Sequence, residues 1–106
     1  MDELNKKKIT KLIKSHSKKP TFILVYEENC ELSLEYFDNF IDYSKKYTDS
    51  RFFYVNITDI KDIEEFEGIC CTPACYIFYG KKRYVEYYIS DEIITLIINH
   101  LKKFDK

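Results

Sequence analysis

The run Phe22-Ile23-Leu24-Val25-Tyr26, followed by Glu27-Glu28-Asn29 and then Cys30-Glu31-Leu32-Ser33, decides how the rest of the chain is read. An unbroken aliphatic and aromatic run, with Thr21 before it, describes a strand covered on both faces. From Glu31 to about Tyr47 the period changes. Leu34, Phe37 and Ile41 fall on one helical stripe with Phe40 and Tyr47 beside it, until Thr48-Asp49-Ser50 breaks the pattern. A cysteine therefore stands between the end of a strand and the start of a helix. There it meets unpaired backbone N–H groups and the positive end of the helix dipole, which lower a thiol's pKa.

Working outward, Ile9, Leu12, Ile13 and His16 share one face of a helix running from Leu4 to about His16, and Pro20 ends that region. Arg51 to Ile57 is again strand-like. Thr58 or Asp59 can cap a short helix whose Ile60, Ile63 and Phe66 face inward and which ends at Gly68. After Pro73, Ala74 to Tyr79 and Arg83 to Ile89 read as two strands of a hairpin around Gly80-Lys81-Lys82. Ser90 is a good N-cap, and Asp91 and Glu92 suit the first turn of the helix that follows. Ile93, Ile94, Ile97, Ile98, Leu101 and Phe104 give that helix a strong apolar face. The order is α-β-α-β-α-β-β-α. A crossover helix makes the first two strands parallel, and the hairpin adds an antiparallel pair. The fold class is α/β, a four-stranded mixed sheet covered by helices on both faces.

A chain of 106 residues with no repeat and no low-complexity linker is expected to form a single domain over residues 1–106. Its 17 basic and 18 acidic residues give a net charge of -1, which offers no argument for nucleic acid or membrane binding. The start, Met1-Asp2-Glu3-Leu4-Asn5, has no apolar secretory stretch and turns acidic at once, so the cytoplasm is the expected location. The glycosylation triplet Asn56-Ile57-Thr58 is then a coincidence. Of the cysteines, Cys70, Cys71 and Cys75 cluster while Cys30 stands apart, which does not suit a disulfide framework. Nor do the clustered three have the paired spacing of a zinc motif, so no metal is expected.

The ordered set of Phe22 to Tyr26 before Cys30-Glu31-Leu32-Ser33, then Phe53-Tyr54-Val55-Asn56-Ile57, Glu67-Gly68-Ile69, Thr72-Pro73 and Phe78-Tyr79-Gly80-Lys81 resembles the thioredoxin family. The resemblance runs from about Pro20 to the C-terminus, while the family's usual first strand has no obvious segment. It implies the thioredoxin fold, with Cys30 as nucleophile and Ser33 donating a hydroxyl hydrogen bond to the Cys30 thiolate. It also implies a cis-proline at Pro73, with Thr72 offering its backbone to a partner peptide beside the thiol.

Several positions depart from the family pattern. Ser33 replaces the second motif cysteine, so the motif is C-x-x-S and Cys30 cannot form the usual internal disulfide. Asn29 stands where tryptophan is usual, at the border of the partner groove. The buried acid and its lysine partner match Leu24 and Tyr54. The resemblance thus implies monothiol thiol–disulfide exchange with protein or peptide disulfides, resolved by glutathione or another thiol. The alternative is a non-catalytic binding module that retains the groove. Cys71, two residues before Pro73, reads either as an alternative resolving thiol or as an exposed loop residue. Cys75 reads as core, and His16 and His100 as packing or surface residues.

Charge separates further along the chain. No Lys or Arg falls between Pro20 and Ser44, whereas Glu27, Glu28 and Glu31 flank Cys30 and Asp59, Asp62, Glu64, Glu65 and Glu67 follow, against Lys61 alone. Such carboxylates oppose a thiolate, and they can offset a dipole effect of roughly 0.3–1 kcal/mol. An acidic face also favours basic partners.

Overall fold

The computed structural model describes residues 1–15, 19–69, 71–80, 82–87 and 89–103. Expectations placed on His16, Cys70, Lys81 and Phe104 lie outside the described residues. Five strands form one mixed sheet: β1 (Asp2–Glu3), β2 (Thr21–Tyr26), β3 (Arg51–Asn56), β4 (Ala74–Tyr79) and β5 (Lys82–Glu86), in the order β1-β3-β2-β4-β5. The helices are α1 (Lys6–Lys14), α2 (Glu31–Lys46) and α3 (Asp91–Lys102). β1 and β2 both run parallel to β3, while β2 with β4 and β4 with β5 are antiparallel.

The expected four-stranded sheet is thus corrected to five. The added strand is two exposed acidic residues, Asp2 and Glu3, paired with Phe53 and Tyr54. It has no apolar alternation to announce it. Leu4, buried just beyond, anchors it, and the Tyr26 hydroxyl donates to Glu3 Oε2 at 3.0 Å.

Every residue of β2 and β4 is buried, as a strand covered on both faces requires. Their alternation splits the core. Phe22 and Leu24 join Phe52, Cys75 and Ile77 beneath Tyr36 and Phe40 of α2 and Ile94 of α3. Ile23 and Val25 join Val55, Tyr76 and Phe78 beneath Ile9 and Ile13 of α1. Phe22 stacks on Phe52 at 4.9 Å between ring centroids, and Phe66 meets Tyr76 at 4.3 Å. Each fully buried side chain of this size contributes about 1.5–3 kcal/mol.

Polar side chains cap α1 and α3, the second at the expected Ser90. Asn5 accepts from the Lys8 N–H at 2.9 Å, and Ser90 Oγ accepts from the Ile93 N–H at 3.4 Å.

Three expectations are corrected. The expected helix ending at Gly68 is absent: the stretch from Ile57 holds two 3-10 turns, Ile57–Asp59 and Glu64–Phe66, although Ile60, Ile63 and Phe66 do face inward. Asn56, rather than Thr58 or Asp59, caps the first turn, accepting from the Thr58 N–H at 3.0 Å. On α2 the buried stripe is Ser33, Tyr36 and Phe40, while Leu34 is exposed and Phe37 and Ile41 are half-buried. Among the described residues no helix is long and apolar enough to cross a membrane.

Candidate functional site

β2 ends at Tyr26 and its antiparallel neighbour β4 begins at Ala74, with Val25 opposite Ala74. The loops carrying residues 27–30 and 71–73 therefore leave the same end of the sheet side by side. Cys30 is the N-cap residue of α2, in extended conformation, with its N–H donating to the Glu27 carbonyl at 3.2 Å. Its thiol is part-exposed and lies 4.0 Å from the Thr72 carbonyl oxygen. The Thr72–Pro73 peptide bond is cis, and Pro73 is buried.

Ser33 sits one turn into α2, fully buried, and its hydroxyl has no hydrogen-bond partner among the described residues. The Ser33 side chain is the main reason the Cys30 thiol is held below its ordinary pKa. The Ser33 N–H acts in the same direction, partial burial opposes, and Thr72 and the Leu32 N–H add to the lowering. The carboxylates of Glu27, Glu28 and Glu31 do not reverse the shift. Glu27 turns out to be engaged elsewhere: its Oε1 accepts from the Thr72 hydroxyl at 3.1 Å. That bond ties the two loops together, and no sequence pattern announces it.

Two open depressions flank the thiol. One, of about 510 Å³, is lined by Leu32, Cys71, Thr72, Pro73 and Tyr87. The other, of about 420 Å³, is lined by Glu27, Glu28, Asn29, Asn56, Ile57, Thr58 and Lys61. The structure thus brings Cys30, Ser33, Thr72, Pro73 and Cys71 together and puts Asn29 in the second depression, on the polar side. Leu32 and Tyr87, exposed at 55% and 44%, are the apolar members of the first depression that the sequence did not single out. Leu32 had one available signal: it lies beside Ser33 on the first turn, so burial of Ser33 turns it outward.

The remaining sequence candidates lie elsewhere. Leu24 and Tyr54 are register partners in β2 and β3, where Leu24 is fully buried and Tyr54 packs edge-on against Phe37 at 4.7 Å. No ionisable acid therefore stands at Leu24. Cys75 is 1% exposed, and burial pushes its thiol well above the ordinary value. His100 packs edge-on to Tyr84 at 6.1 Å, between α3 and β5. Among the described residues no His, Cys, Asp and Glu side chains group to hold a metal ion.

No protein-family model matches the chain, and no curated protein matches it. Solved structures do. Spinach chloroplast thioredoxin f in its long form is 16% identical with a TM-score of 0.79, covering 95% of this chain and 85% of its own. Thioredoxin f2 of Chlamydomonas reinhardtii is 19% identical with a TM-score of 0.78, covering 94% of this chain and 95% of its own. Fasciola hepatica thioredoxin is 12% identical with a TM-score of 0.77, covering 94% of this chain and 98% of its own. TM-scores of 0.77–0.79 over almost the whole length, at such identities, establish architecture: the chain has the thioredoxin fold.

Proposed function

We propose that the protein is a thioredoxin-like thiol–disulfide exchange protein whose nucleophile is Cys30. The observation that carries the reading is a part-exposed thiol at the N-terminus of α2, held below its ordinary pKa first by the buried Ser33 hydroxyl. In the proposed reaction the Cys30 thiolate attacks a protein or peptide disulfide, forms a mixed disulfide and displaces one partner thiolate. Thr72 and Pro73 border the partner segment, with Cys71 on the apolar side and Asn29 on the polar side. The motif itself holds one thiol, so release requires a second one, from glutathione or another source. The reading needs no nucleic acid, membrane or metal, and it fits a reducing compartment such as the cytoplasm.

Basic partners fit best. Glu27 and Glu28 line one side of the site, and Asp59, Glu64, Glu65 and Glu67 belong to the segment after β3. Lys61 shares the Glu27 depression, which weakens the acidic character there without cancelling it.

The test is pH-dependent alkylation of Cys30, followed by peptide mass spectrometry with Cys30→Ser as control. A midpoint below the ordinary thiol value of about 8.5 is expected. A midpoint at or above that value would remove the nucleophile and leave the groove-binding module as the better reading.

A further inference from the structure

Ser33 leaves a mixed disulfide on Cys30 without a resolving thiol inside the motif, and the other two described thiols, Cys71 and Cys75, differ sharply in access. Cys75 cannot serve: it is 1% exposed and held in β4 between Leu24 of β2 and Glu86 of β5. Cys71 is exposed. The next residue, Thr72, presents its carbonyl oxygen 4.0 Å from the Cys30 sulfur, so the Thr72–Pro73 peptide, one residue past Cys71, lies against the thiol. Cys71 also lines the same depression as Leu32, from the first turn of α2, together with Pro73 and Tyr87. Resting on the exchange reading of Cys30, we infer that Cys71 is the resolving thiol, supplying from the proline loop what Ser33 lacks.

The chemistry closes on itself. In the first step the Cys30 thiolate forms a bond to one partner sulfur, and the partner's own S–S bond breaks. The other partner sulfur leaves as a thiolate. In the second step the Cys71 thiolate attacks the Cys30 sulfur, the bond to the partner breaks, and a Cys30–Cys71 disulfide forms. The partner disulfide gains two electrons and two protons, and the two protein thiols lose them. An external thiol reductant then restores the protein. A disulfide needs its Cα atoms roughly 4.4–6.8 Å apart. The first turn of α2 and Cys71 border one depression, so such a bond joins the α2 start to the residues before Ala74, where the ladder of β4 begins.

The experiment uses the full chain and one equivalent of 2,2′-dithiodipyridine, a neutral disulfide, with acid quenching and intact mass followed by peptide mapping. Wild type should pass through the pyridyl adduct and end lighter by two hydrogens, with Cys30 joined to Cys71. An internal thiol acts at an effective concentration on the order of millimolar. The adduct on Cys30 should therefore decay roughly tenfold or more faster in wild type than in Cys71→Ser, where it should accumulate. Cys70→Ser should behave as wild type. A wild-type adduct as long-lived as that of Cys71→Ser, or a disulfide that maps to Cys70, would overturn the inference while leaving Cys30 as nucleophile. Absence of any Cys30 adduct in Cys71→Ser would instead defeat the exchange reading itself.

Discussion

A serine hydroxyl and a thiol one turn apart at a helix start have unequal roles: Ser33 is fully buried, Cys30 part-exposed. The hydroxyl is more useful to a thiolate than to a thiol, because only the anion gains a charge-assisted hydrogen bond. Ser33→Ala should therefore move the alkylation midpoint of Cys30 upward, leaving less thiolate at neutral pH and slower alkylation there. The sign is fixed by the downward shift whose first cause is Ser33. An unchanged or lower midpoint would assign the shift to the helix end alone. At this scale the sequence was a good guide to position and a poorer one to electrostatics. Cys30 and Ser33 could be read from the strand–helix junction and the motif spacing. The weight given to Glu27, Glu28 and Glu31 could not be settled, because contact hydrogen bonds outweigh charges that act through solvent. The engagement of Glu27 with Thr72 spans the chain from residue 27 to residue 72 and leaves no local trace.

α2 and the loop before α3 are joined by Tyr36, whose hydroxyl donates to the Ile89 carbonyl at 2.5 Å and accepts from the Ile89 N–H. Tyr36→Phe keeps the ring and strands the buried Ile89 N–H, so it should destabilise the fold by about 1–3 kcal/mol. Urea unfolding checks this, and a loss below half of that range would mean that water satisfies the N–H. Asn5→Ala should cost about 0.5–2 kcal/mol through loss of the α1 cap, measured the same way.

Elements were legible where one pattern had one meaning. Thr21 to Tyr26 and Ala74 to Tyr79 are buried strands because little else accommodates such runs. Elsewhere the patterns were ambiguous. Ile60, Ile63 and Phe66 recur every third residue, which a sequence reader takes for a helix. That spacing is also the repeat of a 3-10 turn, and short turns are what this segment forms. The α2 stripe was misread because its leading buried member is Ser33, a polar residue that an apolar pattern skips. β1 was invisible because backbone pairing and Leu4, rather than any apolar alternation, hold it.

Over the whole molecule, a net charge of -1 conceals an uneven distribution. Glu27 and Glu28 line the thiol site, while Lys6 reaches across to Asp62 at 3.5 Å and Lys46 to Asp91 at 3.0 Å. The first of these pairs softens the separation that the sequence alone suggested, since it brings α1 lysine charge to the acidic segment. What remains should still steer partners. Mixed-disulfide formation should be faster with a basic disulfide peptide than with a matched acidic one, by a factor on the order of ten at low salt. The ratio should fall as salt screens exposed charges. Glu27→Gln combined with Glu28→Gln should shrink it too, and equal rates at low salt would leave these carboxylates as solvated surface.

Cys75 gives the molecule a built-in gauge of its own integrity. Its side chain packs on the sheet face beneath Tyr36 and Phe40 of α2 and Ile94 of α3, so a thiol reagent reaches it only when that core opens. Its labelling rate in the native protein should therefore report the population of opened molecules, as amide exchange does. That rate should rise along with loss of ellipticity in urea, while Cys30 labels freely in the folded state. One sample thus carries two stopwatches, the fast one timing chemistry at the surface and the slow one timing how often the core comes apart.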